Sequence, residues 1–417
     1  MTFPPDFLWG AATSAFQIEG SLDADGRGES IWDRFAGESG DTGAVACDHY
    51  RRWRGDLDLL PELGLNAYRL SLAWPRIFPD GRRLERRGLD HYDRVLDRLL
   101  ELGVEPVVTL YHWDLPATLD WRDAATVERF AEYAAACFDA YGDRVRWWVT
   151  INEPWIVGVL GYQLGLHAPG LRDLRASVHV MHHLLRAHAE AADALGARGH
   201  AGIAYSLFPH DPESAADEEA ARLSDGYVNR WFLDPVLRGA YPDDVRALYE
   251  ERVGPLELEG ETAGGDFVGV NYYTRRVIRS APGRTPFPWE VVVPEGAETT
   301  DGGWEVHPQG LAELLLRLRA DYGDVPVLVT ENGGIFDEPL HDQRRIGFLR
   351  AHVDAIAAAR DSGVDVRGYF HWSLLDNFEW ALGYAPRFGL VHVDYETQAR
   401  TIKDSGGAYR RLVEAAR

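Results

Sequence analysis

Cysteine is nearly missing from this chain: Cys47 and Cys137 are the only two in 417 residues. Two thiols do not make a disulfide framework, and no metal-ligand spacing surrounds them. Lysine is scarcer still, with Lys403 alone among 43 basic residues. That composition fits either a GC-rich coding sequence or adaptation to salt; we favour the first. Positive charge as a whole is short, since 66 acidic residues leave a formal net charge of −23. Nucleic acid and anionic membrane surfaces both want clustered positive charge, so neither is expected as a partner. An acidic surface favours solubility. Long hydrophobic runs are absent too: none approaches the ~20 residues that span a bilayer. The stretch Met1–Asp6 has neither a basic nor an apolar leader region, so a signal peptide is not expected and a cytoplasmic location is. Oligomeric state is not readable.

Apolar residues, in contrast, make up 46% of the chain, enough for a large core without metals or disulfides. No Ser/Pro-rich linker, low-complexity tract or composition break divides it, and one domain over residues 1–417 is expected. Short apolar segments recur at 7–16, 67–73, 106–111, 147–151, 201–207, 267–273, 325–330 and 366–372, each followed by amphipathic helical text. Strand–helix alternation implies βα units and a parallel sheet. Eight such units point to an α/β fold, a closed (β/α)8 TIM barrel with its chemistry at the C-terminal strand ends. Among the helices, Asp90 is placed to cap one with Tyr92, Val95, Leu96, Leu99 and Leu100 as its apolar stripe, ending at Gly103. A second runs from about Ala125 to near Gly142 with Val127, Phe130, Ala131, Ala134 and Phe138 on one face.

The strands end on chemistry. In order they deliver Gln17, Arg69, His112-Trp113, Asn152-Glu153, Ser206, Asn271-Tyr273, Glu331-Asn332 and Trp372. A barrel built for stability alone has no use for so many polar groups beside its core. Glu153 and Glu331 each close an apolar, β-branched run. Two carboxyl groups about 5–5.5 Å apart are what a retaining glycosidase needs, one as nucleophile and one as acid.

At these residues the chain resembles the family 1 glycoside hydrolases, the β-glucosidase-like enzymes, from Phe7 to about Tyr409. The resemblance rests on the segments 7–20 (FLWGAATSAFQIEG), 68–76 (YRLSLAWPR), 111–116 (YHWDLP), 150–154 (TINEP), 269–273 (GVNYY), 330–333 (TENG), 372–380 (WSLLDNFEW) and 387–389 (RFG). It implies a retaining β-glycosidase acting on terminal β-D-glucosyl residues, and also on β-galactosyl or β-fucosyl ones, of a small glycoside or short oligosaccharide, without cofactor. It further implies that Glu331 is the nucleophile and Glu153 the acid/base, with Arg69 and Tyr273 hydrogen-bonding the nucleophile, Asn152 holding the sugar 2-hydroxyl, and Asn152 and Asn271 supporting catalysis. Gln17, His112, Trp113, Glu379 and Trp380 match the ring-hydroxyl contacts, Trp372 the apolar floor and Trp304 the aglycone wall, while Phe388 stands among the substrate-binding positions. Loops at 37–45, 120–123 and 335–341 look shortened relative to the family, which bears on leaving-group preference. His371, before the floor Trp372, is an uncommon residue there.

Chemistry separates the two carboxyls. Arg69 and Tyr273 favour the charged form of Glu331, whereas Glu153 has no cation in its motif and is expected to hold a proton in a partly dry pocket. A carboxylate at Glu379 repels a 6-phosphate, which disfavours the alternative of a 6-phospho-β-glycosidase. A catalytically silent sugar-binding barrel is the rival from another class. His179, His182, His183 and His188 are read as structural rather than metal-ligating, since no third ligand is evident. Asp48-His49-Tyr50 is read as a structural network.

Overall fold

β-Branched and aromatic residues suit a pleated, buried surface, and the eight runs of them become eight parallel strands: β1 (Leu8–Ala12), β2 (Ala67–Ser71), β3 (Glu105–Tyr111), β4 (Trp147–Asn152), β5 (His200–Ser206), β6 (Phe267–Tyr272), β7 (Val327–Asn332) and β8 (Val366–Trp372). Each pairs with its sequence neighbours, and β8 returns to β1 in the register Leu8↔Gly368 to Ala12↔Trp372, closing the barrel. The computed structural model describes residues 3–37 and 39–417. Parts of the stretch 1–6 and of the 37–45 loop therefore lie outside the described residues. No described helix is long and apolar enough to cross a membrane.

The barrel interior is packed rather than open. Ala12, Ala67, Val107, Val149, Ala204, Leu328 and Phe370 form its apolar fill, capped above by Trp372 and Phe388. A larger apolar layer lies between the strands and the surrounding helices. The helix Arg86–Glu101 buries Tyr92, Val95, Leu96 and Leu99 but leaves Leu100 exposed. It begins earlier than the sequence suggests: Glu85, not Asp90, is its cap, with a side chain accepting from the Arg87 amide. The helix Ala125–Tyr141 buries Val127, Phe130, Ala134 and Phe138.

One strand is shorter than expected. β1 stops at Ala12 because the Ala15 amide donates to Ser71 Oγ at 2.7 Å, and Ala15–Ile18 winds into a helical turn instead. That turn delivers Gln17. Two strands are irregular just where they matter: the β4–β5 register shifts between Val149 and Asn152, and the β6–β7 register shifts between Val329 and Glu331. Such irregularities re-aim side chains, and both precede a carboxylate.

Candidate active site

β7 carries Glu331 to the barrel mouth, and both of its oxygens are held. Arg69 Nη1 donates to Oε1 at 2.5 Å, and Tyr273 Oη donates to Oε2 at 2.6 Å. Arg69 is fully buried on β2 and spends every nitrogen: Nε on Thr109 Oγ1, Nη1 also on the Thr330 carbonyl, and Nη2 on Asn152 Oδ1 at 2.7 Å. Burial, followed by the negative field of Glu331, holds the Tyr273 phenol far above its ordinary pKa, so it remains a donor. Two residues after Glu331, Gly333 lets the Trp372 backbone approach closely. A Cβ there would sit 2.1 Å from the Trp372 carbonyl oxygen.

Glu153 follows β4 in the left-handed region, at φ 48° and ψ 67°. Few non-glycine residues adopt that conformation, and it persists only where surroundings impose it. Here it turns the side chain into the same cavity that Glu331 enters. Asn271 Nδ2 donates to Glu153 Oε1 at 2.7 Å and reaches Asn152 Oδ1 at 3.1 Å, while Asn271 Oδ1 accepts from Thr330 Oγ1. The two carboxyl groups are thus joined through three side chains: Asn271, Asn152 and Arg69. Burial, and then the charge of Glu331, push the Glu153 carboxyl well up, toward the protonated form.

The floor and rim are aromatic. The His112 ring stacks at 5.8 Å on Trp372 and 6.1 Å on Trp380. Burial, reinforced by Arg69, keeps His112 neutral. Its Nε2 faces Asn152 Nδ2 at 3.1 Å, so the proton belongs on Nδ1, which has no partner among the described residues. Trp113, at φ 77°, lines the cavity with its ring, but its indole N–H is engaged by the Asn152 carbonyl at 2.9 Å. Its polar end is therefore not free for a sugar hydroxyl. Trp380, also left-handed at φ 51°, packs on Phe16 and Trp113. Gln17 Nε2 donates to Asn377 Oδ1, to the Phe378 carbonyl and, at 3.3 Å, to Glu379 Oε2. Ser14 holds the other end of the Gln17 amide. Burial and the nearby Glu331 raise the Glu379 pKa to about 8. That shift favours the neutral form of Glu379, so the charge argument against a 6-phosphate is weaker than the sequence suggests. A lack of cations takes its place: the groups that act on the Glu379 carboxyl are Glu331 and Gln17, and no arginine or lysine is among them.

The cavity holds about 520 Å³, within the range of small-molecule sites. Trp304 is 37% exposed and borders it, packed at 5.5 Å against Tyr273 and at 6.2 Å against Phe388. Of the three loops that look shortened in the sequence, 335–341 contributes lining through Ile335, and no described residue of the other two does. Trp121 of the 120–123 loop instead packs into the core against Tyr111 and Trp74. His371 is buried neutral beneath the floor, with Nε2 3.3 Å from the Phe388 carbonyl. Three of the four histidines grouped between 179 and 188 have separate duties: His182 contacts Tyr241 and the Glu259 carbonyl, His183 the Trp121 carbonyl, and His188 Thr150 and the Gly264 carbonyl. No group of three metal-binding side chains occurs among the described residues. His49 pairs with Asp56, and Tyr50 with Asp25.

Sequence reasoning overlooked Thr109, Thr330, Ser14 and Asn377, which hold Arg69, Asn271 and Gln17 in place. Ser14, Thr330 and Asn377 lie inside the 7–20, 330–333 and 372–380 segments, whereas Thr109 lies outside all of them. It also overlooked the apolar wall beyond Glu153, formed by Ile156, Leu160, Phe208, Val291 and Val293. No local pattern marks these residues as neighbours.

Residues 1–417 match the family model described as Glycosyl hydrolase family 1. "Beta-glucosidase A" of Acetivibrio thermocellus is 43% identical over 99% of this chain and 98% of its own length. "1,4-beta-D-glucan glucohydrolase" of Thermotoga neapolitana is 42% identical over the same shares. Among solved structures, the family 1 β-glucosidase from Thermotoga maritima superposes with a TM-score of 0.94 at 42% identity, covering 100% of this chain and 98% of that one.

Proposed function

For a chain that belongs to glycosyl hydrolase family 1, and is thereby a glycoside hydrolase, we propose a retaining β-glucosidase formed by residues 1–417 as one catalytic unit, accepting β-galactosides and β-fucosides as secondary substrates. One observation carries this reading: Glu153 and Glu331 enter one cavity with opposite hydrogen-bonding environments. Glu331 accepts from a guanidinium and a phenol. Glu153 accepts from a single neutral amide. In the first step Glu331 attacks the anomeric carbon while Glu153 protonates the departing oxygen. Forming the glycosyl ester removes the negative charge of Glu331, which was one cause of the raised Glu153 pKa. Glu153 then releases its proton readily and activates water for the second step. Arg69 and Asn152 keep the nucleophile aligned, and Asn271 keeps the acid aligned. The pyranose ring lies over Trp372, with Gln17, His112, Glu379 and Trp380 positioned for its hydroxyls and Trp113 and Phe388 closing its sides. Trp304 borders the leaving group.

Hydrolysis of 4-nitrophenyl β-D-glucoside followed by proton NMR tests the reading. The β-anomer of glucose should appear first; an initial α-anomer would contradict retention. Glu331→Ala should abolish turnover, with added azide or formate restoring part of it and giving the inverted product. Sugar binding without turnover at any pH would favour the silent barrel. A strong preference for 6-phosphorylated glycosides would favour the phospho-glycosidase.

A further inference from the structure

We infer that the leaving-group half of the cavity takes an aromatic aglycone bearing a carboxylate, with Arg276 as its counter-ion. This inference rests on the retaining β-glycosidase reading and refines its substrate class.

Glu153 protonates the departing oxygen, so the leaving group lies along the wall that continues from Glu153. That wall is apolar: Ile156 and Leu160 follow Glu153, Phe208 follows β5, and Val291 and Val293, each 52% exposed, come from the strand Trp289–Val292 and its end. Sugar hydroxyls find few partners there, whereas a flat ring finds contact area.

Arg276 lines the same wall and is half-buried. Its guanidinium carbon lies 4.2 Å from the centroid of Phe208 and 4.7 Å from that of Trp155, which is two residues beyond Glu153. Both rings lie within cation–π distance of the guanidinium. Among the described residues no carboxylate pairs with it, and its side chain makes no hydrogen bond. Its neighbour Arg275 is the contrast: Glu305 and Asp211 neutralise it. Burial lowers the Arg276 pKa to about 10, with only Tyr227 acting against it, so Arg276 remains a cation at neutral pH. A partly desolvated cation without a counter-charge is costly, and a planar guanidinium with free N–H groups is shaped for a carboxylate. The protein's net charge of −23 opposes anionic substrates at long range. Any preference for an acid must therefore be local.

The experiment compares kcat/KM for 4-carboxyphenyl and 4-carbamoylphenyl β-D-glucosides in the unmodified enzyme, R276M and R276K. Taking the acid-to-amide ratio in each protein cancels the difference in leaving-group ability. We expect the ratio to fall about tenfold in R276M, equivalent to ~1.4 kcal/mol, and to stay between the two in R276K. A ratio unchanged within about twofold, with the amide still hydrolysed, would overturn the inference and leave Arg276 as an aromatic-clamped packing group. No hydrolysis of either glucoside by the unmodified enzyme would instead sink the parent reading. Should R276M fail to fold, competitive inhibition of the unmodified enzyme decides. Then 4-hydroxybenzoate should bind more tightly than 4-hydroxybenzamide, with the advantage shrinking from about 20 mM to about 500 mM salt. Equal or weaker binding of the acid overturns the inference.

Discussion

Replacing Glu331 by glutamine should lower the pKa of Glu153 by about two pH units. Glutamine keeps the shape of Glu331: its carbonyl can still accept from Arg69, and its amide can donate to the Tyr273 oxygen. What disappears is the negative charge. Two unit charges about 5 Å apart, the spacing a retaining pair needs, interact by ~3 kcal/mol at an effective dielectric of ~20. That energy corresponds to roughly two pH units. Burial, the leading cause of the raised pKa, is untouched, so Glu153 should fall from about 8 to about 6 rather than to the ordinary glutamate value of ~4.3. Carbon-13 NMR of labelled glutamate side chains, or infrared difference spectroscopy, reads the titration directly in the inactive variant. An unmoved Glu153 would mean that the two carboxyls do not face each other. A fall to the ordinary value would mean that the like charge, and not burial, holds the proton. In the unmodified enzyme the same physics predicts that kcat/KM declines as pH rises through the Glu153 pKa, because the acid is lost.

Glu153→Ala should slow glucosides with poor leaving groups by about 10²–10⁴-fold while sparing activated aryl glucosides in the first step; equal losses on both, measured across a series of substituted phenols, would contradict the acid role. Glu379 has a folded pKa near 8, above its unfolded value of ~4.3. Its contribution to stability is therefore whole below pH ~4 and is lost progressively up to pH ~8, by about 1.4 kcal/mol per pH unit. Glu379→Gln should accordingly gain in melting temperature relative to the unmodified protein as pH rises from 4 to 8, and a constant difference across that range would refute the linkage. Gly333→Ala places a Cβ against the Trp372 carbonyl and should cost about 1–3 kcal/mol, or roughly 1–3 °C for a chain of this size, together with a drop in kcat. Calorimetry and steady-state kinetics showing no change would mean that the backbone moves aside freely.

Legibility followed locality. The eight strands were readable within a residue or two because period and β-branching are properties of short windows. The exception was β1, whose end is decided by Ser71, a residue on another strand. The carboxylates at 153 and 331 stood out because each closes an apolar run. Asp90 was misread as a helix cap because Glu85, which caps the helix, lies outside its periodic stripe. Trp113 is expected among the ring-hydroxyl contacts, yet its N–H is taken by a carbonyl from β4, which leaves its ring to face the cavity.

By itself, then, the sequence determined the barrel and the residues presented at its mouth, since hydrophobic period and strand-end chemistry are written along the chain. Only the tertiary structure decided how those residues are wired. Arg69 reaches across the barrel to Glu331 and Asn152, and Asn271 steadies Glu153. Arg276 is held between Trp155 and Phe208 without a counter-charge. Each of these depends on groups more than 40 residues apart meeting within a few ångströms, and pKa and charge pairing are set at that range by burial and contact rather than by order along the chain.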